Sequence, residues 1–93
     1  MMAIECLDLC GKLKHEKYPN AKLKKVINKR SENNIWEGVV AYSVKHTKGY
    51  YKYHYILEEN GKIIDPFLLE EGLITKEDYL QKYYKNYQDL KII

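Results

Sequence analysis

The sequence predicts an α+β fold: an N-terminal helix packed on a small antiparallel sheet of about four strands, with a C-terminal helix. Three observations lead there. Apolar residues recur at helical spacing near both ends of the chain. Between them lie stretches rich in β-branched and aromatic residues, punctuated by Asn, Gly and Pro. Nothing has the strand–helix–strand order of a parallel sheet. The 93 residues suit a single domain, 1–93, with a modest core.

The first helix is expected over residues 3–16. Cys6, Leu9, Cys10 and Leu13 follow helical spacing, with Ile4 and Leu7 beside them and Asp8, Lys12 and Lys14 for the wet side. Gly11 weakens it by about 1 kcal/mol relative to Ala. Pro19-Asn20 turns the chain. Residues 23–30 fit a short strand whose lysines suit a sheet edge. Ser31 to Asn34 make a turn, residues 35–45 a second strand, His46 to Gly49 another turn, and residues 50–59 a third strand. Asn60-Gly61 is a strong hairpin signal, followed by a fourth strand, Lys62 to Asp65, stopped by Pro66. Thr75-Lys76-Glu77-Asp78 resembles a capping box. It opens a helix with Tyr79, Leu80, Tyr83, Tyr84 and Tyr87 at helical spacing.

The hairpin register carries the chemistry. A two-residue loop pairs Glu59 with Lys62 and sets Ile56 opposite Asp65. Residues two apart on a strand share a face, so His54 and Asp65 become diagonal neighbours about 7 Å apart at the backbone. At that distance a carboxylate can fix the imidazole tautomer and favour the imidazolium. The other face of the third strand carries Tyr51, Tyr53, Tyr55 and Leu57, a packing surface.

Cys6 and Cys10 are four residues apart, on one helical face and poorly placed for a disulfide. Reduced thiols, and no visible signal segment at the N-terminus, lead to the expectation of a cytoplasmic protein. A thiol near a helix N-terminus and beside an imidazole becomes a usable nucleophile. Cys6 is the closer to that end. Cys10 has the character of an apolar core residue, and a core role for both thiols is the plainer alternative.

The stretch "YHYILEENGKIIDPF", read with Cys6 upstream, resembles papain-like and transglutaminase-like cysteine enzymes, in which a helix-borne Cys precedes a His strand and then an Asp or Asn. The resemblance covers residues 6–67. It implies Cys6 as nucleophile, His54 as base and Asp65 as orienting group. It also implies acyl transfer at an amide or thioester of a protein or peptide substrate, through an acyl-enzyme.

Other classes find less support. No phosphate loop, dinucleotide fingerprint or carboxylate cluster is present, so no cofactor is expected. A zinc site drawn from Cys6, Cys10, His15, His46 and His54 lacks a second close-spaced pair. Lys48 to Tyr53 alternates basic and aromatic residues, as single-strand binders do. Yet the net charge is only +3, with fifteen Lys and one Arg, Arg30, so a nucleic-acid partner is not expected. That lysine-rich, arginine-poor composition suggests an AT-rich genome, from a low-GC bacterium or its phage. No apolar run reaches the ~20 residues that span a bilayer. The rival function is a non-enzymatic protein-binding or inhibitory module, phage-encoded and built on the same fold, since Tyr is favoured at interfaces.

Overall fold

The computed structural model describes residues 2–29, 41–42, 50–51 and 54–93, with side chains over 7–29 and 54–93. Helix α1, Met2–Glu16, comes first. Its inward side chains, Cys10 and Leu13, pack with Tyr18, Ala21, Tyr55, Leu57 and Ile64. The Leu13 carbonyl accepts from the backbone N–H of both Lys17 and Tyr18, which closes the helix. Ala21 N–H then bonds the Tyr18 carbonyl at 3.0 Å, and the chain reverses through Pro19-Asn20 into β1, Lys22–Asn28.

The remaining strands are β2 (Ala41–Tyr42), β3 (Tyr50–Tyr51), β4 (His54–Glu59), β5 (Lys62–Ile64), β6 (Ile74–Thr75) and β7 (Leu90–Ile92). Among the described residues the main sheet has five strands in the order β6-β5-β4-β1-β7. Every pairing in it is antiparallel. The sequence leads to about four. The two extra strands, β6 and β7, are only two and three residues long and carry no alternation long enough to register as strands. β7 also corrects the placement of β1. Its Val26, Ile27 and Asn28 pair with β7, so β1 lies inside the sheet instead of at an edge. Ala41–Tyr42 and Tyr50–Tyr51 pair with each other in a separate two-stranded ribbon. The other residues of the expected second strand, its flanking turns and residues 52–53 of the expected third strand lie outside the described residues.

The hairpin forms as its sequence requires. Asn60 and Gly61 both take positive φ, 53° and 77°, the pattern of a type I′ turn. Leu57 pairs with Ile64, Glu58 with Ile63 and Glu59 with Lys62. This register divides the side chains between two cores. Leu57 and Ile64 face α1, whereas Ile56 and Ile63 face a cluster of Val26, Leu68, Ile74 and the C-terminal tyrosines.

Helix α2, Lys76–Tyr83, contributes Tyr79 and Tyr83 to that second cover. It ends four residues short of the expected Tyr87. Tyr84 is extended (φ −129°, ψ 132°), and a 3-10 turn at Tyr87–Asp89 leads into β7. Tyrosine is tolerated in both helix and strand, so the spacing of Tyr79, Tyr83, Tyr84 and Tyr87 hides the break. At the other end Thr75 occupies the N-cap position without capping a backbone N–H. Its hydroxyl donates instead to Asp78 Oδ2 at 2.7 Å, so the capping box survives only as a side-chain pair.

Candidate functional site

His54 opens β4, and Asp65 follows β5 directly. Because Ile56 and Ile63 face the α2 side, the period of two puts His54 and Asp65 on that side as well. Their side chains meet as the register predicts. His54 Nε2 lies 3.1 Å from Asp65 Oδ1, and neither side chain exposes any surface. Pro66 stops the strand, and the next residue turns back so that Phe67 N–H donates to the same Oδ1 at 2.9 Å. This is an Asx-type turn, in which a short acidic side chain bonds the backbone two residues on. Leu68 N–H bonds the Asp65 carbonyl at 2.9 Å and fixes the turn. The Phe67 ring stacks on the imidazole, with centroids 5.3 Å apart at 29°.

The second carboxylate oxygen is held from α2. Tyr79 Oη donates to Asp65 Oδ2 at 2.5 Å, and Tyr84 Oη lies 2.9 Å from Tyr79 Oη. A phenol has one proton, and Tyr79 gives its proton to the carboxylate. Tyr84 must therefore donate to Tyr79. The result is a directed chain: Tyr84 to Tyr79 to Asp65, met from the other side by His54. Burial holds the Tyr79 phenol well above its ordinary range, and the neighbouring Tyr84 and Asp65 charges add to this, so it remains a neutral donor. Nearby, Tyr83 Oη donates to Glu71 Oε1 at 2.7 Å. Burial first, then that bond, pushes Tyr83 up to about 12.

These contacts decide the imidazole tautomer. An ionised carboxylate only accepts, so the ring proton sits on Nε2 and the basic lone pair on Nδ1. Three donors converge on a carboxylate without exposed surface, which offsets the cost of burying its charge.

The thiols are placed differently. Cys10 is fully buried among Ala21, Leu57 and Ile64, on the face of the sheet opposite His54. It is a core residue, as its position deep in the helix suggests. Cys6 belongs to α1 one turn before Cys10, and its side chain lies outside the described residues. The C-terminal end of α1 leads to Tyr18, which shares a groove with Glu59, Asn60 and Lys62 at the hairpin tip. The helix itself packs on the sheet face opposite His54. His46, and the side chains of the basic and aromatic stretch 48–53, lie outside the described residues. His15 is exposed in the last turn of α1.

Sequence reasoning missed Phe67, Tyr79 and Tyr84 as members of the site. The signals were the Asp-Pro-Phe order, which favours an Asx turn, and tyrosines on a buried helix face whose hydroxyls need a partner. A groove of about 490 Å³ lies at the hairpin tip between Lys22, Lys24, Lys76, Glu58 and Glu59. It is at the far end of β4 from the dyad, and its charged lining is lysine and glutamate, without thiol or imidazole. Among the described residues no group of three His, Cys, Asp or Glu could hold a metal ion, and no helix is long and apolar enough to cross a membrane. No protein-family model, curated protein or solved structure matches the chain.

Proposed function

We propose that the chain is a small cysteine hydrolase or acyltransferase of the papain-like or transglutaminase-like kind, acting on an amide or thioester. The observation that carries this reading is the His54–Asp65 pair, with Nε2 on the carboxylate and Nδ1 as the basic nitrogen. In this reading Cys6, one turn before Cys10 on α1, is the nucleophile. His54 Nδ1 takes the Cys6 proton, and the thiolate attacks the carbonyl carbon. The tetrahedral adduct collapses as the C–N or C–S bond breaks, and the imidazolium returns its proton to the leaving group. Water or an amine, deprotonated by His54, then releases the acyl group. Asp65 orients the ring and balances the imidazolium charge throughout.

The test is acyl-enzyme trapping with a small aryl thioester, read by intact mass and peptide mapping. The proposal expects one adduct, on Cys6, that is lost in both Cys6→Ala and His54→Ala. An adduct count unchanged by His54→Ala refutes it.

One observation favours the rival reading of a non-enzymatic protein-binding module. His54 and Asp65 expose nothing, and α1 covers the opposite sheet face. Under that reading the tyrosine–aspartate–histidine chain is a polar core that fixes how α2 sits on the sheet. A binder gives no adduct, and its partner capture survives Cys6→Ala.

A further inference from the structure

Tyr79 and Tyr84 are buried, hydrogen-bonded and unused by the mechanism above. We propose that Tyr79 is a positioning residue for His54: by donating to Asp65 Oδ2 it keeps Asp65 an ionised acceptor, and so keeps the imidazole proton on Nε2 and the lone pair on Nδ1. Its use in catalysis rests on the cysteine-enzyme reading, whereas its effect on the tautomer does not.

The argument turns on what a buried carboxylate does when it loses a donor. Asp65 has no exposed surface, so solvent cannot stabilise its charge in place of a missing hydrogen bond. The Tyr79 bond is charge-assisted and among the stronger kinds. Removing it shifts the balance toward the protonated acid. A protonated Asp65 donates to Nε2 instead of accepting from it, which moves the ring proton to Nδ1. An Nδ1–H ring cannot take a proton from a thiol. The phenol thus acts on the basic nitrogen through the carboxylate without touching it. Tyr84, which donates to Tyr79, polarises that phenol and adds to the same effect. Tyr83 belongs to the same helix and the same core, but its hydroxyl goes to Glu71, off the chain. It is the internal control.

The experiment uses the full chain with 15N-labelled histidine and reads the His54 tautomer from long-range proton–nitrogen couplings near neutral pH. Wild type is expected as the Nε2–H form. Tyr79→Phe keeps the ring and removes only the hydroxyl, and should shift the tautomer ratio about tenfold toward Nδ1–H, the loss expected for one charged hydrogen bond. Tyr84→Phe leaves the Tyr79–Asp65 bond in place, and should shift it the same way by about threefold. It is the second variant where Tyr79→Phe folds poorly. Tyr83→Phe should leave the ratio unchanged. A wild-type ratio in both Tyr79→Phe and Tyr84→Phe overturns the proposal, as does an equal shift in Tyr83→Phe. If the tautomer moves as expected while Cys6 traps no thioester, the positioning role stands and the enzyme reading falls. If Cys6 traps thioester while the tautomer stays fixed, the enzyme reading stands and the positioning role falls.

Discussion

At the scale of single residues, Asp65 is the point on which the site depends. Its two oxygens receive the imidazole, the Phe67 amide and the Tyr79 phenol, so one side chain joins β4, the turn after β5 and α2. Asp65→Asn keeps the size but replaces one acceptor oxygen with an amide NH2 that can only donate. The neutral side chain forfeits the charge-assisted bonds from His54, Phe67 and Tyr79 in a site without exposed surface. The expected loss is about 1.5–3 kcal/mol by urea denaturation, with the slope unchanged. The meeting of His54 and Asp65 was legible in the sequence because a strand alternates strictly and a two-residue loop leaves one register. Tyr79 was not. Its hydroxyl reaches Asp65 only once α2 has docked, and no local rule fixes where a docked helix presents a given atom.

At the scale of elements, the hairpin is the most fully encoded part of the chain. Asn60-Gly61 demands positive φ at both positions and receives it. Space is not limiting at Gly61, since a Cβ there meets nothing within 4 Å, so the strain is in the backbone alone. Gly61→Ala is therefore expected to cost about 1 kcal/mol by thermal or urea denaturation, and Asn60→Gly close to nothing. The short strands were illegible for a different reason. Ile74–Thr75 and Leu90–Ile92 are strands because β5 and β1 offer them partners, and a two- or three-residue segment carries too little pattern to announce that. β1 was misplaced to an edge by its lysines for the same reason: its neighbour β7 comes from the far end of the chain.

At the scale of the whole molecule, the sheet separates two cores. One holds Cys10 under α1, and the other holds the dyad and the tyrosines under α2. The second core makes stability depend on alkaline pH. Tyr83 keeps its proton to about pH 12 when folded, against about 10 when unfolded, and Tyr79 is shifted in the same direction. The unfolded chain therefore binds fewer protons in that window, and stability falls as pH rises from about 10 toward 12. Circular dichroism melts across this range should show the fall, and Tyr83→Phe should lessen it. The central claim concerns Cys6, His54 and Asp65 acting together, and the most direct measurement is iodoacetamide labelling against pH with peptide mapping of both thiols. The account predicts that Cys6 alkylates well below the ordinary thiol range of about 8.5, that His54→Ala abolishes this, and that Cys10 labels only on unfolding. If both thiols stay inert until the chain unfolds, they are core residues and the catalytic account is wrong.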